Sequence, residues 1–65
     1  GAFHDLKNKL SYSIALLDGF NNGLLLTTIY GRESCITYAK EVNAGIVNQE
    51  LSKEEYEALR MALEK

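Results

Sequence analysis

The chain has 65 residues, 46% hydrophobic and 25% charged, the balance of one small globular domain and not of a disordered or collagen-like chain. Seven Lys and Arg against nine Asp and Glu leave a net charge of −2, which gives no electrostatic footprint for nucleic acid or an anionic membrane. A single cysteine excludes an intrachain disulfide and points to a reducing compartment.

The segment Ala2 to Lys9 is ambiguous. Phe3, Leu6 and Leu10 have the spacing of a helical turn, while Asn8 and two lysines suit a loop equally well. From Leu10 to Leu17, large apolar residues alternate with small or polar ones, which predicts a half-buried strand. Its aliphatic stretch Ile14-Ala15-Leu16-Leu17 is far too short to cross a bilayer. Asp18-Gly19-Phe20-Asn21-Asn22-Gly23 is dense in turn residues. Leu24 to Tyr30 follows as a second strand, apolar on both faces as a central strand would be. After a turn at Gly31-Arg32-Glu33-Ser34, Cys35 to Val42 alternates as a third. Asn43-Ala44-Gly45 suits a three-residue hairpin loop with its glycine in the left-handed region, and Ile46 to Gln49 can form a fourth, edge strand.

The last segment reads as a helix from Ser52 to about Glu64. Ser52 and Glu55 have capping-box spacing, and Leu51 and Tyr56 occupy the positions of a hydrophobic staple. Glutamates crowd its first turns while Arg60 and Lys65 lie toward its end, as the helix dipole favours. Tyr56, Leu59 and Leu63 form the predicted buried stripe, with Ala58 and Ala62 allowing close approach. The expected fold is therefore α+β: a three- to four-stranded antiparallel meander with one C-terminal helix packed on one face, spanning residues 1–65 as a single domain.

If Leu17 pairs with Leu24 and Tyr30 with Cys35, one sheet face carries Leu10, Tyr12, Ile14, Leu16, Leu25, Thr27, Ile29, Ile36, Tyr38, Lys40 and Val42. The helix is expected to cover that face. The opposite face is then mostly Ser, Thr and Ala, with Leu17, Leu24 and Leu26 grouped at the end near the first hairpin loop. An uncovered leucine patch of this kind marks a contact surface. Lys40 is expected to pack its stem on the apolar face and to pair with Glu50 or a helix glutamate.

Several stretches carry a family resemblance: Ala2-Phe3-His4-Asp5, then Leu10-Ser11-Tyr12-Ser13-Ile14-Ala15-Leu16-Leu17-Asp18 and Asn22-Gly23. It continues through Ile29-Tyr30-Gly31-Arg32-Glu33-Ser34, Thr37-Tyr38-Ala39-Lys40 and Leu51-Ser52-Lys53-Glu54-Glu55 with Ala58. In this order they resemble the soluble C-terminal domain of a family of short bacterial proteins catalogued as a domain of unknown function. The sequence departs from the family pattern at Cys35, and it lacks the strand-like segment that members carry before the Ala-Phe-His-Asp stretch. The resemblance implies a parent with an N-terminal membrane helix, a helical and coiled-coil stretch, and this domain on the cytoplasmic side. It implies no catalytic residue, metal or cofactor.

No catalytic constellation can be assembled from the residues themselves. His4 and Cys35 are single, so metal-ligand spacing is absent, and a small buried strand cysteine with a solvent-facing histidine accounts for both. Asp18 to Gly23 faintly resembles a calcium loop but lacks the closing acidic ligand, and a turn accounts for it. Arg32, on a tight turn, is the one candidate anion contact. The expected function is thus a non-catalytic interaction or oligomerisation module, self-associating through Leu17, Leu24 and Leu26 and serving an unidentified protein partner. The alternative is a small-ligand or anion-binding domain built on the Arg32 turn. Neither reading involves a cofactor, nucleic acid or direct membrane contact by this segment.

Overall fold

The computed structural model describes residues 10–64. The ambiguous segment at residues 2–9, which includes His4, and Lys65 therefore lie outside the described residues. Three strands, β1 (Leu10–Leu17), β2 (Gly23–Tyr30) and β3 (Cys35–Val42), form an antiparallel sheet in the order β1-β2-β3, and one helix, α1 (Lys53–Leu63), follows. This is the expected α+β arrangement. Ile46 to Gln49 is not a fourth strand: only an isolated bridge joins Asn43 and Ile46 across a two-residue turn. The chain then turns back over the sheet, where Val47 and Leu51 pack against the core and the Glu50 carbonyl accepts a bond from Lys40.

The second hairpin has the anticipated register, with Tyr30 opposite Cys35. The first does not: Leu17 lies opposite Gly23, one residue short of the expected Leu24. The cause is a five-residue loop, Asp18 to Asn22, closed by the Asp18 amide donating to the Asn22 carbonyl at 2.9 Å. The Asp18 carboxylate accepts from the amides of Phe20 at 2.8 Å and Asn22 at 3.0 Å, and Asn21 takes φ +65°. Asparagine tolerates that conformation better than most residues. A one-residue slip exchanges the faces of a whole strand. The β1 residues Leu10, Tyr12, Ile14 and Leu16 consequently leave the helix side and join Leu24 and Leu26 on the open face. Leu17 makes the opposite move and packs against the core.

The helix side of β1 thus presents Ser11, Ser13 and Ala15, small residues over which a helix can sit closely. Helix α1 packs chiefly over β1 and more lightly over β2. Leu25, Val42 and Leu59 form the buried core, with Ala15, Leu17, Val47, Leu51 and Ala58 packed around them. The stripe of α1 is as expected at Leu59, which is buried, but Tyr56 is 57% exposed, Leu63 is exposed, and Glu55 is buried in their stead. The capping box is present as predicted: Ser52 Oγ accepts from the Glu55 amide at 3.1 Å, and the Glu55 carboxylate accepts from the Ser52 amide at 2.8 Å.

Candidate functional site

Two features of this scaffold concentrate chemistry or contact potential. The first is the buried carboxylate of Glu55, at 4% exposure. Its Oε1 accepts from Lys40 Nζ at 2.9 Å and from the Ser52 amide, and its Oε2 accepts from Thr27 Oγ1 at 2.8 Å. Thr27 in turn bonds Ser13 at 2.8 Å, so β1, β2, β3 and α1 meet in one polar cluster. Burial alone would push the Glu55 carboxyl upward. The Ser52 amide, the Lys40 ammonium and the Thr27 hydroxyl overcome that and hold it at about 2. The expected partnership of Lys40 with a helix glutamate and with Glu50 is realised, the latter through the backbone carbonyl.

Beside this cluster runs an open groove of about 380 Å³, walled by Ile29, Tyr38, Ser11 and Glu54 and floored by the Lys40–Glu55 pair. Ser11 donates to Glu54 across its rim at 2.9 Å. A carboxylate held ionised and bonded by three structural donors is poorly suited to exchanging protons near neutral pH. The cluster fastens helix to sheet.

The second feature is the open sheet face. Leu10 is 64% exposed, Leu16 55%, and Tyr12, Ile14, Leu24 and Tyr30 are each exposed by two-fifths or more. The Tyr12 and Tyr30 rings lie 6.2 Å apart, and the adjacent Thr28 is bonded to Thr37 at 3.1 Å. Glu41 is the charged side chain of this face and stands at its β3 corner.

The candidate residues read from the sequence are thereby separated. Leu24 and Leu26 lie on the open face, whereas Leu17 belongs to the core side. Sequence reasoning missed the β1 row of the patch and the polar core at Thr27 and Glu55. The small residues Ser11, Ser13 and Ala15 were the available signal, since a helix docks more closely on them than on the leucine row. Arg32 is exposed on its turn, which is closed by the Gly31 amide on the Ser34 carbonyl, and it lines neither the groove nor the shallower concavity between β1 and α1. Cys35 is exposed on the open face, not buried as expected, because among the described residues none forms a layer above its edge strand. Among the described residues no cluster of three His, Cys, Asp or Glu could hold a metal ion, and no helix is long and apolar enough to cross a membrane.

The family model described as protein of unknown function (DUF4446) matches residues 1–63. The chain belongs to this family. No curated protein and no solved structure matches it. For DUF4446 the match spans the sheet, the polar cluster and the whole of α1, so the family's pattern is that of the folded unit described above.

Proposed function

We propose that the domain is a non-catalytic protein-interaction or oligomerisation module whose contact surface is the open face of the sheet. The observation that carries this reading is the row Leu10, Tyr12, Ile14 and Leu16, exposed beside Leu24 on a face opposite the helix. Contiguous exposed apolar surface of this kind marks a contact site in a soluble protein. A sheet is ordinarily covered on both apolar faces, and here α1 supplies a layer on one. The role of Glu55 as a structural tie between α1 and the sheet supports a non-catalytic reading. In the parent protein we place the module on the cytoplasmic side of a membrane-anchored chain, a reading supported by its free, exposed cysteine, which suits a reducing compartment.

Affinity capture tests the reading. The wild-type domain and an Ile14→Lys, Leu24→Lys variant are used as bait in lysates of a bacterium that encodes a family member. Proteins retained by the wild type and lost by the variant are expected. Identical capture by both baits overturns the assignment of the open face.

A further inference from the structure

We infer that the partner for the open face is a second copy of this chain, stacked sheet on sheet about a two-fold axis parallel to the strands; this rests on the reading of that face as a contact surface. The face has a graded relief. Its β1 row is Leu10, Tyr12, Ile14 and Leu16, and its β3 row is Cys35, Thr37, Ala39 and Glu41, small except at the corner. One edge is a ridge and the other a trough. The observed pairing aligns them across the sheet, with Leu10 in line with Tyr30 and Cys35, Tyr12 with Thr28 and Thr37, and Ile14 with Leu26 and Ala39.

A two-fold axis parallel to the strands sets β1 of one copy over β3 of the other and leaves β2 over β2. Ile14 then faces the second copy's Ala39, and Tyr12 its Thr37. Over the outer strands Leu10, Tyr12 and Ile14 meet the small Cys35, Thr37 and Ala39, which is how two sheet layers interdigitate. Leu16 meets Glu41, and the β2 row meets its own copy. An axis perpendicular to the strands would instead set ridge on ridge and leave both troughs empty. Glu41 lies under the second copy's Leu16 at a corner of the face, where its side chain reaches past the edge and keeps the carboxylate in water.

The area suits a weak, closed dimer. Three strands of eight residues make a face of roughly 14 by 27 Å at standard strand spacing and rise. Two such faces bury about 800 Å² in projection and more with side-chain relief, which falls short of the roughly 1,200 Å² of stable interfaces and belongs to weak, transient contacts. An isologous contact of this kind closes at two copies, leaving the helices on the outside.

Sedimentation of the full chain from micromolar to millimolar concentration tests the inference. The wild type is expected to dimerise with a dissociation constant of roughly tens of micromolar or weaker. Ala39→Ile fills the trough and weakens association about tenfold, the scale of losing one interface anchor. Ala39 is exposed, so the fold tolerates the change, and an unchanged melting temperature under monomeric conditions verifies this. Adding Ile14→Ala exchanges ridge and trough and restores the dissociation constant to within about threefold of wild type. A wild type that stays monomeric at millimolar concentration overturns the second copy as partner, while lysate capture still decides whether the face binds another protein. A dimer indifferent to Ala39→Ile, or one that the exchange does not rescue, overturns the ridge-in-trough arrangement.

Discussion

Lys40 on the edge strand donates from Nζ to Oε1 of Glu55 on the helix at 2.9 Å, and the same ammonium reaches the Glu50 carbonyl at 2.8 Å. One cation therefore holds the helix and the segment leading into it against a three-stranded sheet. With three fully or nearly buried apolar side chains in the core, this domain relies on that tie more than a larger one would. Removing one member of a buried pair leaves the other charge uncompensated. Lys40→Met is expected to cost about 1–3 kcal/mol, less than for a fully enclosed pair because the site opens onto the groove. The double variant Lys40→Met, Glu55→Gln should be more stable than the sum of the single losses predicts. Urea denaturation of the four proteins measures the coupling, and additive losses would show that the pair is energetically idle.

The same carboxylate sets an acid limit. Glu55 is held at about 2 against an ordinary value of 4.5. Between these values the unfolded state binds more protons than the folded one, so stability rises with pH there. Its contribution is complete above about pH 4.5 and is lost progressively as the pH falls toward 2. The loss is on the order of 1–3 kcal/mol after allowance for solvent at the groove. A Glu55→Gln variant should be less stable at pH 7 and show a shallower decline between pH 5 and about 2. Parallel slopes in the two proteins would assign the acid sensitivity to other carboxylates.

Leu59 and Tyr56, both on α1, should behave in opposite ways. Leu59 is 7% exposed and belongs to the core, whereas Tyr56 is 57% exposed. Leu59→Ala is expected to cost about 2–5 kcal/mol. Tyr56→Ala should stay within about 0.5 kcal/mol. Thermal melts of the two variants rank them directly. A Tyr56 variant as damaged as the Leu59 variant would mean that the helix is rotated from its observed orientation.

The elements were legible because each carries a local signal. Strand alternation gave β1 and β3, turn residues separated them, and Ser52 with Glu55 marked the start of α1. Lys40 was legible too, since a cation on a buried face demands a carboxylate. The face of β1 was not legible, because it depends on whether the first loop has five residues or six. The leucine row looks like the obvious inner surface, yet the helix sits on the serine and alanine row. The carboxylate of Asp18 decides this by folding the loop tightly enough that Gly23 enters the strand. The buried position of Glu55 escaped for a related reason: its partners Thr27 and Lys40 come from β2 and β3, and only the assembled sheet brings them under one side chain.

Gly23 is the residue on which that register turns. A Cβ built on it would lie 1.9 Å from the Leu16 carbonyl oxygen and 3.1 Å from Leu17 Cα, both backbone atoms that cannot swing aside. Close approach of two backbones is a role that only glycine fills. Gly23→Ala is therefore expected to cost more than about 2 kcal/mol, or to displace the first hairpin. Gly19→Ala is the control, since a methyl group there would meet nothing within 4 Å. Amide chemical shifts of β1 report any displacement, and a Gly23 variant with wild-type stability and shifts would refute the observed pairing of Leu17.

Ala44 offers a gain in stability. It sits at φ +50°, followed by Gly45 at +83°, in a two-residue loop closed by both hydrogen bonds between Asn43 and Ile46, each 2.9 Å. Positive φ at both central positions is the geometry for which Asn-Gly is preferred. Alanine in the left-handed region carries a penalty of roughly 1 kcal/mol that asparagine largely avoids. The Ala44 amide donates to Asn22 Oδ1 at 2.7 Å, and a change of side chain leaves that backbone bond in place. The side chain itself is exposed, so the added amide meets solvent. Ala44→Asn should therefore stabilise the domain by about 0.5–1 kcal/mol, with a raised melting temperature and an unchanged denaturant slope. Ala44→Val, whose branched side chain resists positive φ, should destabilise it by at least as much. If the asparagine variant melted below wild type while the valine variant did not, the loop would not hold this conformation in solution.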